Sequence, residues 1–441
     1  MQGHQSSTLI VGGGYSGTLT AVNLLEKGAG PVTLIERAPI FARGAAYGTR
    51  HPAHLLNVRA ANMSAFPDRP DDFVHWLGTD DGAEFAPRRD YGRYLSHVLE
   101  GWRRSPALTL VQGEAVDAAR TPEGWTVTLR DGRVLDGDRL VLATGNMAPQ
   151  PPPGIDPARF DPGVYVDDPW RGDLLGSLGP KDTVLLVGTG LTMVDAVVTL
   201  GAADFRGRIL AISRRGLVPR AHSEWARLKT MVEPPEGGAS AVLHAMRARV
   251  RARPRWQVAV DELRPHVQRL WERASPTERR RFLRHLRPWW DVHRHRIAPE
   301  IAARLEAMRG DGRLQTAAGK IVALDPIPGG AALRWRPRGE TAEQTATVRR
   351  IVNCTGPASD IARFGPALLR GLFERGTARP DGLRMGVDVD ARCRALSADG
   401  TPTPGLFAVG PLTKGCFWEV VAVPHIRGQV ATLAARLALG E

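Results

Sequence analysis

Cysteine is scarce in this chain of 441 residues. Three cysteines, Cys354, Cys393 and Cys416, stand far apart, and no Cys-x-x-Cys pair occurs. Their number and spacing argue against a disulfide framework, a cysteine zinc site and a dithiol redox centre. So few cysteines are typical of a reducing compartment, and we expect a cytoplasmic protein.

Long hydrophobic runs are absent as well. The most apolar stretch, residues 184–200, contains two glycines and Asp195, which predicts a strand, a turn and a helix rather than a membrane span. The first eight residues are polar and lack the basic segment and cleavage site of a signal peptide. We therefore expect no membrane association.

Positive charge is concentrated in one segment. The net charge is +13 at pH 7, and residues 206–310 hold 24 Arg or Lys against 10 Asp or Glu. Neither a helix-turn-helix nor an aromatic-basic RNA-binding motif accompanies these residues, so we expect no nucleic-acid partner. A phosphorylated cofactor or an anionic substrate would also suit such a segment.

Side-chain patterns for catalysis by the protein alone are missing too. We find neither a Ser-His-Asp pattern nor a carboxylate pair. His293 and His295 are two residues apart and do not share a helix face, which argues against a metal site. Such absences are what an enzyme that relies on an organic cofactor would show.

The sequence does contain two glycine-rich turns. In the first, Gly12, Gly14 and Gly17 form a Gly-x-Gly-x-x-Gly pattern between a predicted strand and a helix, and the next predicted strand ends at Glu36. Gly12 makes the tight turn, Gly14 lets a pyrophosphate approach the backbone and Gly17 lets the helix pack against the strand. The phosphates would lie at the helix N-terminus, and Glu36 would accept hydrogen bonds from the adenosine ribose.

The second turn has Gly188 and Gly190, but Met193 in place of the third glycine. The strand that follows it ends at Ser213, and Arg214 and Arg215 come next. An NAD site would have Asp or Glu at this point, whereas arginines favour a 2′-phosphate and hence NADPH. The alternative is that both arginines are solvated surface charges.

The same order of elements occurs twice along the chain. Alternating apolar and polar residues predict a β-meander at 108–142 and another at 314–337, and each is followed by a strand that ends in Thr-Gly, at Gly145 and Gly356. We therefore predict an α/β fold with two Rossmann-like dinucleotide-binding domains, each with a β-meander, plus an arginine-rich helical insertion.

A proline-rich stretch, residues 149–153, marks the first domain boundary. We predict that residues 1–155 and 346–441 form the two parts of the first domain. The second domain is predicted at residues 163–345, and the insertion inside it at residues 222–310. The helices of the insertion are expected within residues 239–310.

One helix of the insertion has a clear start signal. Ser275 and Glu278 form a capping box, with proline at the first helical position. We expect this helix to continue past Trp289, Trp290 and His293. It is either a surface or lid helix, or it faces the cofactor or the substrate.

On these motifs the chain resembles two-dinucleotide-binding-domain flavoproteins, which include flavin-dependent N-hydroxylases and other class B monooxygenases. It also resembles bacterial FAD/NAD(P)-binding proteins that often lack an assigned substrate. The resemblance covers nearly the whole chain and extends to the loop 57–67 and to Gly410 with Phe417–Glu419. The Phe-x-Gly-x-x-x-His fingerprint of Baeyer–Villiger enzymes is absent, which places N-hydroxylation ahead of that reaction.

The resemblance implies that the first domain binds FAD and the second NADPH. Asn57, Arg59 and Met63 would lie along the flavin, and Gly410 with the start of the last helix would approach its ring system. Pro411 stands where many flavoproteins have an Asp for the ribityl chain. The implied FAD residues are Gly12, Gly14, Gly17, Glu36, Asn57, Arg59, Met63, Thr144, Gly145 and Gly410. The implied NADPH residues are Gly188, Gly190, Ser213, Arg214 and Arg215.

The activity implied by the resemblance is that of an NADPH-dependent FAD monooxygenase. It would use O2 to oxygenate the nitrogen of a small amine or amino acid through a C4a-peroxyflavin. Two alternatives stay open: a reductase that passes electrons from NADPH to another acceptor, and a flavoprotein redox sensor that docks an acidic partner.

Two residues are candidates for catalytic contacts. Asn57 would bond a flavin or peroxyflavin atom, or else cap its loop. Lys414, one of five lysines, would bind a substrate carboxylate or tune the flavin, or else is a surface lysine. Trp418 and Glu419 would wall the flavin or recognise an amine, although core packing is the simpler role for Trp418.

Overall fold

The computed structural model describes residues 6–170, 172–223, 233, 235–252 and 255–440, and all elements below lie within them. The strands are β1 (Thr8–Val11), β2 (Val32–Glu36), β3 (Leu108–Gln112), β4 (Ala115–Arg120), β5 (Trp125–Leu129), β6 (Val134–Gly137), β7 (Arg139–Leu142), β8 (Tyr165–Val166), β9 (Thr183–Val187), β10 (Arg208–Ser213), β11 (Leu314–Ile327), β12 (Gly330–Pro337), β13 (Gln344–Val348), β14 (Arg350–Asn353), β15 (Arg394–Leu396) and β16 (Pro402–Ala408). The helices are α1 (Tyr15–Glu26), α2 (Gly44–Tyr47), α3 (Asp72–Leu77), α4 (Arg88–Glu100), α5 (Leu191–Ala202), α6 (Ala239–Arg251), α7 (Trp256–Leu263), α8 (Val267–Arg273), α9 (Pro276–His285), α10 (Arg287–Arg294), α11 (Pro299–Gly310), α12 (Ile361–Phe364), α13 (Ala367–Glu374) and α14 (Val423–Ala438).

The first domain is built on a six-stranded sheet in the order β15-β16-β7-β1-β2-β3. Its neighbours are parallel except for the β15–β16 pair. Helices α1, α4 and α14 cover one face, and the meander β4–β6 covers the other with α13. Strands β1 and β7 are buried at every position, because both faces of a parallel sheet are covered.

The second domain has a seven-stranded sheet in the order β13-β12-β11-β10-β9-β14-β8. Helices α5 and α11 pack on one face, and the meander packs on the other. Strand β11 begins parallel to β10 and continues antiparallel to β12, so it links the parallel sheet to the meander. The predicted two-domain α/β fold, with a meander in each domain, is confirmed.

Three predicted boundaries differ from the structure. Strand β3, which the alternating pattern places in the first meander, pairs in parallel with β2. Strand β14, which lies within the predicted range 346–441 of the first domain, pairs with β9 in the second sheet. Helix α11 packs on the second sheet, because the parallel β10–β11 pair needs a crossover helix, so the insertion ends before Pro299.

The insertion helices, defined here as α6 to α10, lie between β10 and α11. The predicted capping box is present: the Ser275 side chain accepts from the Glu278 N–H, and the Glu278 carboxylate accepts from the Ser275 N–H. The expected single helix is broken at Leu286, since a second proline begins α10. Parts of the predicted range 222–310 lie outside the described residues.

Within the described ranges, no helix combines the length and the apolar character needed to cross a membrane.

Candidate cofactor-binding and active site

Close contacts require two glycines of the first turn. Gly12, directly after β1, has a φ of +106°, and a Cβ there would lie 2.4 Å from the carbonyl oxygen of Ala143. A Cβ on Gly17 would lie 1.8 Å from the carbonyl oxygen of Gly12. Both distances are far inside van der Waals contact. Only glycine therefore allows this turn and the close packing of α1 on β1.

The N-terminus of α1 has no side-chain cap. Gly14 is its N-cap residue and offers no side chain, so first-turn N–H groups remain available to an anion. Beside it, the Glu36 carboxylate accepts hydrogen bonds from the N–H groups of Gly13 at 2.7 Å and Ala38 at 2.8 Å. A dinucleotide fits here, with its pyrophosphate at the helix and its ribose at the carboxylate.

The second turn repeats this geometry in the other domain. Gly188 has a φ of +120°, and a Cβ there would lie 2.3 Å from the carbonyl oxygen of Cys354. Gly190 is the N-cap of α5 with φ −85° and ψ −161°, against −77° and −162° at Gly14, and it also lacks a side-chain cap. A Cβ on Gly190 would meet nothing within 4 Å, so the space before the helix is open.

Ser213 and the two arginines after β10 have different surroundings. The Ser213 hydroxyl lies 2.8 Å from that of Thr189 and accepts from the N–H of Gly216 at 3.0 Å. Arg215 donates to the carbonyls of Arg284 at 3.2 Å and His285 at 3.1 Å, which ties the loop to the end of α9. Arg214 is exposed and has no hydrogen bond or ion pair in the described part of the chain. Among Ser213, Arg214 and Arg215, Arg214 is thus the residue whose side chain makes no contact of this kind with the described residues.

A glycine with a positive φ follows the strand that pairs with β1 in the first sheet and the strand that pairs with β9 in the second. Gly145 comes shortly after β7 with a φ of +72°, and Gly356 comes shortly after β14 with a φ of +81°. Thr144 and Gly145 are half-buried. The Ala143 and Cys354 carbonyls that exclude a side chain at Gly12 and Gly188 belong to these two strand ends. The first turn and the Thr144–Gly145 segment are therefore neighbours.

The structure gives Asn57, Arg59 and Met63 different positions. Met63 is fully buried in the core of the first domain. Arg59 donates to the carbonyls of Ala83 at 2.5 Å and Ser223 at 2.7 Å, so its guanidinium ties the loop to the segment that leads into the insertion. The Asn57 side-chain amide is half-buried and forms no hydrogen bond with any described residue. Of the three, Asn57 has the available polar group.

Gly410 lies against the first turn of α1. Its φ is +70°, a Cβ there would lie 2.2 Å from the Ser16 hydroxyl, and its N–H donates to the Gln429 side chain at 2.7 Å. The segment after β16 is therefore fixed beside the first glycine turn. The α14 N-terminus also lacks a side-chain cap, with Pro424 in its first turn as the sequence predicted.

Lys414 follows in the same segment and is half-buried. Its side-chain amine forms no hydrogen bond or ion pair with any residue that the structure describes. Burial and the positive charge of Arg287 lower its pKa to about 8, against the attraction of Asp381. Its amine therefore changes protonation close to neutral pH, which suits a group that binds or exchanges protons with a substrate.

Comparisons with known proteins agree with this geometry. The family described as FAD-NAD(P)-binding matches residues 9–147, and the family described as an FAD binding domain matches residues 377–421. The ornithine hydroxylase PvdA from Pseudomonas aeruginosa has a similar structure, with a TM-score of 0.68, 16% identity and coverage of 98% of this chain and 99% of that chain. The fold is that of the two-dinucleotide-binding-domain flavoproteins. The expected pairing of FAD with a nicotinamide cofactor is confirmed.

Two further solved structures with a similar fold are named for different reactions. The L-lysine 6-monooxygenase from Pseudomonas syringae matches with a TM-score of 0.67, 17% identity and coverage of 98% of this chain and 99% of that chain. A bacillithiol disulfide reductase from Bacillus cereus matches with a TM-score of 0.57, 15% identity and 99% coverage of both chains. Because oxygenases and a reductase share the architecture, the fold alone does not choose between these reactions.

The matches to curated proteins by sequence cover a smaller part of each chain than the structural matches do. The FAD-binding monooxygenase lolF2 of Epichloe uncinata is 32% identical over 124 residues, 27% of this chain and 22% of that protein. The matched part spans less than a third of the curated relatives.

Sequence reasoning missed a buried ion pair that joins the insertion to the C-terminal segment. Arg294 of α10 contacts the Glu419 carboxylate at 2.7 Å, and the Trp290 indole donates to the same carboxylate at 3.2 Å. Burial disfavours the ionised form of Glu419, but the charges of Arg294, His295 and His425 hold its pKa below the ordinary value. This carboxylate is therefore used within the protein and is not available to an amine. No sequence pattern pairs residues 125 positions apart.

A second missed contact joins the two domains. Asp195 of α5 contacts Arg88 of α4 at 2.6 Å, and the Trp170 indole donates to the same carboxylate oxygen at 3.0 Å. Next to it, the buried His54 ring lies 2.8 Å from the Thr199 hydroxyl. These contacts fix the helix behind the second glycine turn against the first domain.

The C-terminal segment also packs against α8. The Trp271 indole donates to the Gly415 carbonyl at 2.9 Å, and its ring stacks on Trp418 with centroids 4.7 Å apart. Gln268 bonds the backbone on both sides, at Cys416 and at Trp418. The insertion therefore covers the segment that carries Lys414.

Proposed function

We propose that this flavoprotein is an NADPH-dependent FAD monooxygenase that oxygenates the nitrogen of a small amine or amino acid. The observation that carries the proposal is the pair of uncapped, glycine-lined helix N-termini of matching geometry, one for each of two dinucleotides. The names of similar proteins support oxygenation, since they include an FAD-binding monooxygenase, an ornithine hydroxylase and a lysine 6-monooxygenase.

The first domain would hold FAD at the first turn. Gly12, Gly14 and Gly17 would bring the pyrophosphate to the N-terminus of α1, and Glu36 would bind the ribose. Thr144, Gly145 and Gly410 would complete the wall around it. Bound FAD supplies the redox chemistry and the activation of O2. The uncapped N-terminus of α14 would stabilise negative charge on the reduced ring.

The second domain would hold NADPH at the second turn. Gly190 leaves open space for the pyrophosphate, and the exposed Arg214, which has no partner among the described residues, would pair with the 2′-phosphate. Ser213 stands where NAD-binding proteins have an acid and would accept or donate a hydrogen bond. Arg215 would act mainly by positioning this loop, because two of its N–H groups already bond the end of α9.

Substrate contacts are assigned to Lys414 and Asn57. Lys414, with its pKa lowered to about 8, would bind a substrate carboxylate while protonated. The unpartnered amide of Asn57 would hydrogen-bond the flavin or the substrate. Arg59 would support this loop through its bonds to Ala83 and Ser223, and Met63 would pack beneath it.

The three thiols disfavour a disulfide as the electron acceptor. Burial raises the pKa of Cys393 and of Cys416 to about 12, and that of Cys354 is also raised. The reactive thiolate is therefore scarce at neutral pH, and disulfide exchange like that of a dithiol reductase is not expected. A reductase with another acceptor, or a redox sensor, remains the second candidate because a reductase shares the fold.

We also propose domain limits and a location. The first domain comprises residues up to about 155 together with those after Asn353, and the second domain lies between them, with the insertion helices inside it. The three free cysteines support a reducing, cytoplasmic location.

The test follows NADPH consumption by the purified yellow protein in air, with hydrogen peroxide measured in the same samples. We expect slow oxidation that yields peroxide. One amine from a panel, including ornithine, lysine and simple diamines, should accelerate NADPH consumption and lower the peroxide released per NADPH.

Anaerobic mixing with NADPH supplies the control. If NADPH bleaches the flavin but no amine changes the peroxide yield, the reductase is favoured. If NADPH does not bleach the flavin, the monooxygenase and the reductase are both ruled out, and the sensor is left.

A further inference from the structure

The insertion helices enclose a cavity of about 1030 Å³. Its wall is mostly apolar and includes four indole rings, those of Trp271, Trp289, Trp290 and Trp418. Trp418 belongs to the C-terminal segment, so it closes the cavity on the side of Lys414. A cavity of this size, with apolar walls and few polar groups, has the character of a site for a small organic molecule. The roles proposed above do not use it.

Helix α6 turns an apolar stripe toward the cavity. None of its residues is fully buried. Val242, Leu243, Met246 and Val250 lie on one face at helical spacing, and all four line the cavity. A surface helix normally packs such a stripe against a neighbouring element. Here the stripe faces the cavity, and Val250 remains 37% exposed.

The charges around the cavity favour an anion. Arg247, Arg251 and Arg273 line it and are exposed, and in the described part of the chain none of them forms an ion pair. Two acids also line it, but Glu278 is held in its capping box by the Ser275 N–H at 2.9 Å and hydroxyl at 2.8 Å. Among the described lining residues, Glu236 is then the acid without such a hydrogen bond, against three arginines that have no ion pair there. An apolar interior with a cationic rim complements an amphipathic anion.

We propose that this cavity is a binding site for an organic carboxylate with an apolar body. The chain or ring system would lie among the tryptophans and the stripe of α6, and the carboxylate would lie at the arginine rim. The inference goes beyond the proposed amine oxygenation and does not require it, because it rests on the shape and charge of the insertion alone.

The stacked wall gives binding a consequence for the rest of the protein. Trp418 stacks on Trp271, whose indole bonds the backbone directly after Lys414. A ligand bound against these rings would therefore also affect the position of the segment around Lys414, to which we assign substrate contacts. The same rings provide a signal, since contact with a ligand changes their fluorescence.

The binding test uses the purified full-length protein with FAD and without NADPH. Decanoate is titrated by calorimetry and by tryptophan fluorescence, with decylammonium and acetate as probes of charge and of the apolar chain. We expect saturable binding of decanoate, weaker binding of decylammonium and no binding of acetate. From octanoate to dodecanoate, affinity should rise by about fourfold per added methylene.

Two matched pairs of variants place the site. Met246→Trp places a larger ring on the apolar stripe, narrows the cavity there and should lower decanoate affinity at least about tenfold, while Ala248→Trp, on the same helix but outside the cavity, should leave it unchanged. Arg247→Gln with Arg251→Gln should weaken decanoate but not decylammonium, most clearly at low salt. The control pair, Arg280→Gln with Arg281→Gln, removes equal charge from an exposed face of α9 that does not line the cavity.

Three results would overturn the proposal. These are no saturable binding of decanoate, equal affinity for decylammonium, and an affinity that Met246→Trp leaves intact. Because no NADPH is present, these results are independent of monooxygenase activity. If the protein binds decanoate but does not consume NADPH, the proposed function is refuted and the proposed carboxylate site is supported.

Discussion

Replacing Gly190 with alanine should separate folding from nicotinamide binding. A Cβ at this position meets no atom within 4 Å, and its φ of −85° and ψ of −161° are accessible to alanine. The new methyl group would project into the space where a pyrophosphate approaches the N-terminus of α5. We therefore expect a stable protein with weakened NADPH binding.

Two small effects on stability should nearly cancel. Alanine at an N-cap is less favourable than glycine by about 0.5–1 kcal/mol. Removing the freedom of glycine in the unfolded chain stabilises by about 0.4–1 kcal/mol. The free energy of unfolding should thus change by less than about 0.5 kcal/mol. The lost hydrogen bond to a charged phosphate is expected to cost about 1.5–3 kcal/mol, or about 10- to 100-fold in affinity.

The measurement pairs urea unfolding with anaerobic flavin reduction at a series of NADPH concentrations. Gly188→Ala is the contrasting variant, because its Cβ would lie 2.3 Å from the Cys354 carbonyl at a φ of +120°. The strained backbone alone should destabilise that variant by about 1–3 kcal/mol. If Gly190→Ala binds NADPH as tightly as the parent protein, the second turn is not the nicotinamide site and our reasoning fails.

Three further predictions concern charged groups. Arg214→Gln should lower the preference for NADPH over NADH by about tenfold in steady-state kinetics with both cofactors, since a charge-assisted bond to the 2′-phosphate is lost; an unchanged ratio would place that phosphate elsewhere. The pKa of Lys414 is lowered from 10.5 to about 8, mainly by burial. Between about pH 8 and 10.5 the unfolded state therefore binds more protons than the folded state, and the free energy of unfolding should rise with pH across that window. Thermal unfolding at several pH values should show a smaller rise for Lys414→Met, and an equal rise would contradict the assignment. Glu419→Gln should lower the free energy of unfolding, measured with urea, by about 3–5 kcal/mol because it leaves Arg294 buried without its counter-charge. A loss below about 1 kcal/mol would show that the structure around Arg294 relaxes and that the buried charge is not left unpaired.

The two glycine turns could be predicted from the sequence because their rules are local. Gly12, Gly17 and Gly188 are glycine for reasons that a few neighbouring residues impose, namely a positive φ or a close carbonyl contact. The capping box at Ser275 is equally local, since both partners lie within one turn. For the same reason the two turns and their flanking strands were found in the right places.

Other parts of the prediction depended on distant partners and failed there. Strand β3 looks like part of a meander because it alternates, but its place in the parallel sheet depends on pairing with β2, far back in the chain. Helix α11 shares the composition of the insertion, yet its apolar face packs on the second sheet. The burial of Met63 in the core of the first domain also depends on distant partners, and its expected place along the flavin stays a prediction.

The two dinucleotide-binding halves follow from local signals, since glycine spacing, strand periodicity and helix start signals each lie within a short segment. How those halves are joined and covered depends on the packing of the whole chain. The Arg88–Asp195 pair between domains, the Arg294–Glu419 pair under the insertion and the tryptophan-walled cavity all unite residues distant in the chain. Their energies depend on burial and distance, which the packed chain sets and no local pattern encodes.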